Sequence, residues 1–271
     1  LCIVTFQMGI AGAAVATVVS QLISGLLCLL YMKKKFEILQ IEKEEWKVDF
    51  GNMKVLCGMG VPMGLQYSIT AIGSVILQTA VNSLGSTAVA SVTAASKVSL
   101  FFCCPFDAMG STMATYGGQN VGAKKLDRLG KGLFSCSILG IGYSLIAFVI
   151  LFFFGDTFTG FFVTEGGAEI TLHARQMLLT NAMFFIPLAF VNIIRFMIQG
   201  MGFSMFAVLA GVFEMVARAL AGLFLVPELG FTGACFASPL AWIFADAFLI
   251  PAYLHVRRKL EKMMQVDDSA V

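Results

Sequence analysis

Gly230-Phe231-Thr232-Gly233-Ala234-Cys235-Phe236-Ala237-Ser238 is the stretch that decides how the chain is organised, because Gly9-Ile10-Ala11-Gly12-Ala13-Ala14-Val15-Ala16-Thr17 shares its Gly-x-x-Gly-Ala form. Each copy opens a long apolar run and each run ends in bases, Lys33-Lys34-Lys35 after the first and Arg257-Arg258-Lys259 after the second. Two segments that begin and end alike point the same way, and a parallel echo of one element implies a duplicated unit. The alternative is convergence, since Gly and Ala at the start of a membrane helix let backbones approach closely. The recurring basic ends favour duplication.

Composition sets the solvent. With 58% hydrophobic and 13% charged residues and a mean hydropathy of +0.87, the chain lies far from the soluble globular average and reads as a membrane protein. A net charge of +2 is too small to call for nucleic acid, so the placement of charge matters more than its sum. The cysteines at 2, 28, 57, 103, 104, 136 and 235 are scattered through apolar runs without metal or redox spacing and read as packing residues. The chain opens at Leu1 in mid-pattern with no basic region or cleavage site, so we expect no signal peptide and a longer parent sequence.

A bilayer needs roughly 20 residues of helix, and seven apolar runs reach that length: 9–31, 55–81, 87–116, 132–154, 172–197, 203–226 and 231–253. Short connections at 82–86 and 227–230 predict antiparallel hairpins. The runs are too long for barrel strands, and an open strand edge would leave backbone groups unpaired in hydrocarbon, so the expected fold is all-α. Lys and Arg fall in alternate connections, over 33–54, at Lys124, Lys125, Arg128 and Lys131, and over 257–262, whereas the loops near Leu84, over 155–169 and near Glu228 carry only acids. This asymmetry places the basic loops in the cytoplasm and the acidic ones outside. Between the first two runs, Phe36, Leu39, Trp46, Phe50 and Met53 make an interrupted apolar stripe, consistent with an amphipathic interfacial helix or with a charged linker.

The most specific stretch is Tyr116-Gly117-Gly118-Gln119-Asn120-Val121-Gly122-Ala123-Lys124-Lys125-Leu126-Asp127-Arg128. Its Gln119, Asn120, Gly122, Ala123 and Arg128 resemble the loop motif of the multidrug and toxic compound extrusion (MATE) transporters. Gly60-Val61-Pro62-Met63-Gly64, Gln199-Gly200-Met201-Gly202 and both Gly-x-x-Gly-Ala copies resemble that family as well. A plain capped turn would use the same residues, since Gly and Asn suit the end of a helix. The resemblance implies twelve helices in two lobes, of which this chain holds the last helix of the first lobe (1–32), the inter-lobe linker (33–54), the six-helix second lobe (55–256) and a cytoplasmic tail (257–271).

Charges inside a span cost about 2.5–3.5 kcal/mol each on insertion scales and so demand a reason. Lys97, Asp107, Glu214, Arg218 and Asp246 draw attention on that ground. Glu214 and Arg218, four apart, share a helix face and fit a structural ion pair or an ion-coupling site. Asp107 and Asp246 lie toward helix ends, where packing or snorkelling accounts for them. Lys97 lies deeper, as a cavity cation, an anion site or a partner for Glu214. Gln66, Thr70 and Ser74 recur every four residues above Pro62, as a cavity-facing strip or as interhelical hydrogen-bonding groups. Asn181 and Asn192 flank Pro187, which predicts a kinked helix beside the same cavity.

What the resemblance implies is a plasma-membrane antiporter that exports small organic, cationic and amphipathic compounds, driven by protons or sodium and working by alternating access between two lobes. It implies no cofactor, and its partners are the bilayer, the substrate and a first lobe; no catalysis is expected. One branch of the family carries acids in second-lobe helices, near Thr70 and Leu188 here. Neither is acidic, so the coupling carboxylate is expected in the first lobe or at Glu214. A lipid-linked saccharide flippase of the same superfamily would want a more basic cavity than Lys97 alone supplies. A seven-helix retinal receptor would need a lysine midway along 231–253, which has none, and His173 and His255 lie near opposite surfaces with no catalytic cluster.

Overall fold

The computed structural model describes residues 9–36, 49–160 and 167–269, and the chain divides into two compact units, Leu1–Lys54 and Val55–Val271. Most of the expected amphipathic helix, and the tip of the loop after the fourth span, lie outside the described residues.

In the first unit, α1 (Gly9–Lys35) is predominantly apolar, gathers Thr17, Ser20, Gln21 and Ser24 on one face, and stops on three lysines. A helix this apolar and without a charge before its last turn suits hydrocarbon, where it satisfies its own backbone. The start of α2 (Phe50–Asn82) is capped by Asp49, whose Oδ1 accepts the backbone N–H of Gly51 at 2.8 Å and whose Oδ2 accepts the side-chain amide of Asn52 at 2.8 Å.

The second unit continues α2 and adds α3 (Ser86–Gly122), α4 (Asp127–Gly160), α5 (Gly167–Met183), α6 (Phe185–Gly200), α7 (Ser204–Leu220), a π-helical turn (Ala221–Leu225), α8 (Val226–Leu229) and α9 (Phe231–Ser269). Among the described residues there are no strands, and six helices are long and apolar enough to cross a membrane, or seven if α5 and α6 count as one bent span. The protein is therefore the all-α, multi-pass bundle expected from the sequence. The bend between α5 and α6 is 55° and centres on Phe184. Pro187 explains its place: proline has no N–H to offer the carbonyl four residues back and its ring crowds that carbonyl, so the helix breaks just before it.

Close packing puts α6 in the middle of this unit. Most of its side chains are buried, including Phe185, Ile193, Met197 and Ile198, whereas α4 turns Ile146, Phe152, Phe153 and Phe154 outward as a lipid-facing side would. Small residues let α3 lie against α6. A Cβ on Gly110 would come within 2.6 Å of the Phe196 ring, one on Gly117 within 3.1 Å of the Met197 carbonyl oxygen, and one on Gly200 would collide with the Ala114 backbone. The matched positions rise together along both helices, so α3 and α6 run in the same direction.

Two turns with family-like residues share one stopping geometry. After α3, the Lys125 N–H bonds the Asn120 carbonyl at 2.9 Å and the Lys124 N–H bonds that of Val121 at 3.0 Å. After α6, Phe203 N–H bonds Ile198 at 3.1 Å and Gly202 N–H bonds Gln199 at 2.9 Å. Both are the six-to-one and five-to-two pairs that satisfy the last carbonyls of a helix. The left-handed residue is Gly202 in the second turn (φ 92°) but Lys124 in the first (φ 57°), so Gly122, read from sequence as part of the turn, ends the helix instead. Asn120 donates to the Tyr116 carbonyl at 2.8 Å, and the Tyr116 hydroxyl reaches over to the Arg128 carbonyl at 3.0 Å.

Because the α3–α6 contact leaves no room for a side chain at Gly200, Gly200→Val should lower folded yield sharply and lower the melting temperature by several degrees. Gly142→Ala, at a helical position with open space around it, should be neutral or stabilise by about 0.5–1 kcal/mol. Thermal unfolding of the detergent-solubilised variants gives the comparison; equal melting temperatures would contradict the packing described.

Candidate functional site

Charged and polar side chains from four helices meet inside the second unit. From α6, Asn192, Arg195 and Gln199 project along one side, a consequence of their spacing of three and four residues. From α7 come Glu214 and Arg218, from α2 Gln66 and Thr70, and from α9 Asp246. Apart from Thr70, which is half-buried, all of these are buried. Gly211 makes the α2–α7 approach possible, since a Cβ there would already touch Gln66 Cγ at 3.4 Å and Thr70 Oγ1 at 3.5 Å.

Glu214 is the hub. Its Oε1 accepts a hydrogen bond from Arg195 Nη2, and its Oε2 stands 3.6 Å from Arg218 Nη2. Beside the ions, the Gln199 side-chain amide donates to Gln66 Oε1 at 2.6 Å. Asp246 lies within electrostatic reach of Arg195 and Glu214, and its Oδ1 has no hydrogen-bond partner among the described residues. The cluster thus holds two guanidiniums and two carboxyl groups, with the firmest contact between Arg195 and Glu214.

Arg218 also forms one wall of a cavity of about 160 Å³, which Ser74 and Gln78 of α2, Ser96 of α3 and Ser238 of α9 line together with apolar residues. Arg218 Nη1 reaches the Thr70 carbonyl at 3.5 Å, the outer limit of a hydrogen bond.

The residues singled out from sequence divide accordingly. Glu214 and Arg218 are in contact, as their spacing predicts, but Glu214 also has Arg195, which the sequence reading passed over although it lies within the predicted run 172–197. Of the strip on α2, Gln66 is bonded across to α6, Thr70 gives its carbonyl to Arg218, and Ser74 lines the cavity. Lys97 and Asp107 are exposed on α3, and Glu214 is engaged by arginines. Asp246, read from sequence as packed or snorkelling near a helix end, is buried beside the cluster because α9 packs against α6 and α7. Asn181 is buried, its Oδ1 without a hydrogen-bond partner among the described residues, and Asn192 turns back to the Leu188 carbonyl of its own helix at 3.3 Å. Gln119, Asn120, Gly122, Ala123 and Arg128 sit at the α3–α4 turn, remote from the cluster in sequence and built into a helix stop. Arg175, also inside a predicted run, pairs with Asp156 of α4 at 2.8 Å.

The arrangement of helices matches solved transporters. A MATE protein crystallised with MaL6 superposes with a TM-score of 0.86 at 18% identity, covering 97% of this chain and 59% of that one. An outward-facing multidrug resistance MATE transporter gives 0.85 at 18% identity with the same two coverages, 97% and 59%. A MOP superfamily transporter from Pyrococcus furiosus gives 0.83 at 18% identity, over 96% of this chain and 58% of that one. The fold is that of a multi-pass membrane transporter. Residues 62–223 match the MatE family, and the chain belongs to it. Among curated relatives, the probable multidrug resistance protein YoeA of Bacillus subtilis (strain 168) is 26% identical over 180 residues, 64% of this chain and 37% of that protein. The probable multidrug resistance protein YpnP of the same strain is 29% identical over 172 residues, 62% and 37%. These matches cover little more than a third of the length of either relative. Members of the family are transporters, and the chain is no enzyme.

A buried carboxylate shared by two guanidiniums is expected to act as a brace. Glu214→Gln leaves two buried cations without a countercharge at the hub, and loss of one member of a buried ion set costs about 3–5 kcal/mol. The expected result is a severe drop in monodisperse protein extracted from membranes. Arg195→Gln combined with Glu214→Gln should be less damaging than the two single losses added together, since one stranded cation is gone. Fluorescence-detected size exclusion of tagged variants checks this, and wild-type yield for Glu214→Gln would refute it.

Proposed function

We propose that the chain supplies the second lobe, preceded by the last helix of a first lobe and the linker, of an ion-coupled exporter of small organic, cationic and amphipathic compounds. The observation that carries this reading is the match of residues 62–223 to the MatE family, on a bundle that superposes almost entirely on part of solved MATE transporters. The naming of both Bacillus relatives as probable multidrug resistance proteins supports the substrate class.

Mechanistically, alternating access requires two bodies that rock about a site near the bilayer midplane. A lobe used in that way must move without deforming, and a cluster that ties α6, α7, α2 and α9 together supplies stiffness. Coupling by protons or sodium requires a carboxylate that binds ion and substrate in turn. Glu214 is committed to Arg195 and Arg218, which leaves a carboxylate of the first lobe, or the buried Asp246 with its Oδ1 unpartnered among the described residues, as the coupling group of this proposal. The protein would sit in the plasma membrane with the α3–α4 turn and the tail of α9 in the cytoplasm, because the bases gather there.

Expression in an efflux-deficient host tests the export reading. Joined to a complete first lobe, the chain should raise resistance to cationic amphipathic compounds, and in that two-lobe protein Glu214→Gln should reduce abundance more than transport per molecule. The 271 residues alone should confer none. Robust resistance from the chain alone, or normal abundance with lost ion-driven transport in Glu214→Gln, would overturn the assignment of roles.

Orientation has its own test. In a background without native cysteines, an impermeant maleimide applied from outside should label a cysteine at position 160 and spare one at position 122. The reverse pattern would invert the topology.

A further inference from the structure

The cavity beside Arg218 has features that the exporter reading does not use. Arg218 is a buried guanidinium with five N–H donors, and a buried cation must find acceptors and a countercharge. Among the described residues it has one countercharge, shared with Arg195, and only distant acceptors. Its contact to Glu214 at 3.6 Å is too long for a hydrogen bond, and the Thr70 carbonyl is at 3.5 Å. Glu214 accepts its hydrogen bond from Arg195, which also opposes Arg218 as a like charge. Arg195 has, besides Glu214, the field of Asp246. Of the two cations, Arg218 is the one whose charge is least matched, and it is the one that faces open space.

That space is built for something small and polar. Ser96 and Ser238 bring hydroxyls from α3 and α9, and Ser74 and Gln78 line the cavity from α2. Ser74 spends its proton on the Thr70 carbonyl at 3.2 Å and Gln78 one of its amide protons on Asn82 at 2.9 Å. Ser96 and Ser238 line the same cavity as Arg218 and carry hydroxyls that can donate into it. Apolar Leu77, Val81, Val92, Met177 and Ala234 close the remainder. The volume, about 160 Å³, has room for about five waters at ~30 Å³ each. A carboxylate with a short apolar stem matches all three features: anionic head on Arg218, acceptor oxygens toward the serines, stem against the apolar wall.

We propose that this cavity, bounded by Arg218, Ser74, Gln78, Ser96 and Ser238, is a binding subsite for a small carboxylate or comparable monovalent anion. It deepens the export reading and rests on it for its meaning: the second lobe takes the acidic end of compounds that carry both charges, and the cationic end falls elsewhere. Chemistry alone allows a second source, a free inorganic anion such as chloride that acts as Arg218's countercharge.

Thermal unfolding of the purified 271-residue chain in detergent tests the proposal, with sodium butyrate, butyramide, butylammonium chloride and sodium chloride titrated at matched ionic strength. Butyrate should raise the midpoint saturably, by about 3–5 °C at tenfold excess over its Kd; butyramide should not, and butylammonium chloride should do no more than sodium chloride does. If butyrate exceeds chloride by tenfold or more in apparent affinity the occupant is an organic carboxylate; equal potency assigns the site to inorganic anions. Arg218→Gln should weaken butyrate at least tenfold and Arg218→Lys should restore part of it. Ser238→Leu, which fills the cavity and leaves the ion cluster untouched, should abolish the shift even if Arg218→Gln fails to fold. No saturable shift with any anion, a shift equalled by butyramide, or a butyrate shift unaffected by Ser238→Leu would overturn the site. Because the readout is binding, anion binding without export in the two-lobe host would leave the subsite standing and remove the export reading, and the converse would do the opposite.

Discussion

Two guanidiniums and one carboxylate inside a membrane helix bundle impose a constraint that the rest of the second unit has to meet. None of the three can be left facing lipid, where a charge costs several kcal/mol, and none can be separated from the others without stranding a charge. Arg195 is on α6, while Glu214 and Arg218 are one turn apart on α7. The two helices are therefore fixed in rotation as well as in distance, because turning either by a quarter would break the hub. Gln66 and Gln199 extend the same lock to α2, and Asp246 brings α9 under its field.

Holding α6 at the centre has a steric requirement that the glycines meet. A helix surrounded by neighbours needs short distances on several sides, and in lipid there is no water-driven force to compress it, so contact area must come from backbones that approach closely. Gly110, Gly117 and Gly200 do this between α3 and α6, and Gly140 does it against Ala189. The bend before Pro187 then sets α5 at an angle to α6, so that one polypeptide span serves two packing directions.

Much of this was legible in the sequence for a physical reason: the length of an apolar run, the position of prolines and the sidedness of lysines are all dictated by the bilayer and are local. The seven runs, the all-helical class, the bend near Pro187 and the Glu214–Arg218 pair are of that kind. Arg195 was missed although it stood inside the run 172–197, because a charge near the end of a run looks like its boundary, and its partner is on the next helix. Nothing in a one-dimensional pattern distinguishes Lys97, which is exposed, from Asp246, which is buried beside an ion cluster; that depends on which helices neighbour α3 and α9. The glycine of the loop motif reads from sequence as part of the turn, whereas Gly122 is the last helical residue and Lys124 takes the left-handed conformation.

The π-helical turn at Ala221–Leu225 directly follows α7, and it adds one residue to a turn of an otherwise continuous rod. An added residue rotates everything beyond it by about 100° relative to an unbroken α-helix. Positions before and after the turn therefore belong to two different angular frames: Glu214 and Arg218 share one, while Val226 and its neighbours share another. A helical wheel drawn through 204–229 as a single helix would superimpose lipid-facing and core-facing positions. The boundary between the two frames lies within one turn of Arg218, so the side of the rod that meets the bundle changes phase just beyond the ion cluster.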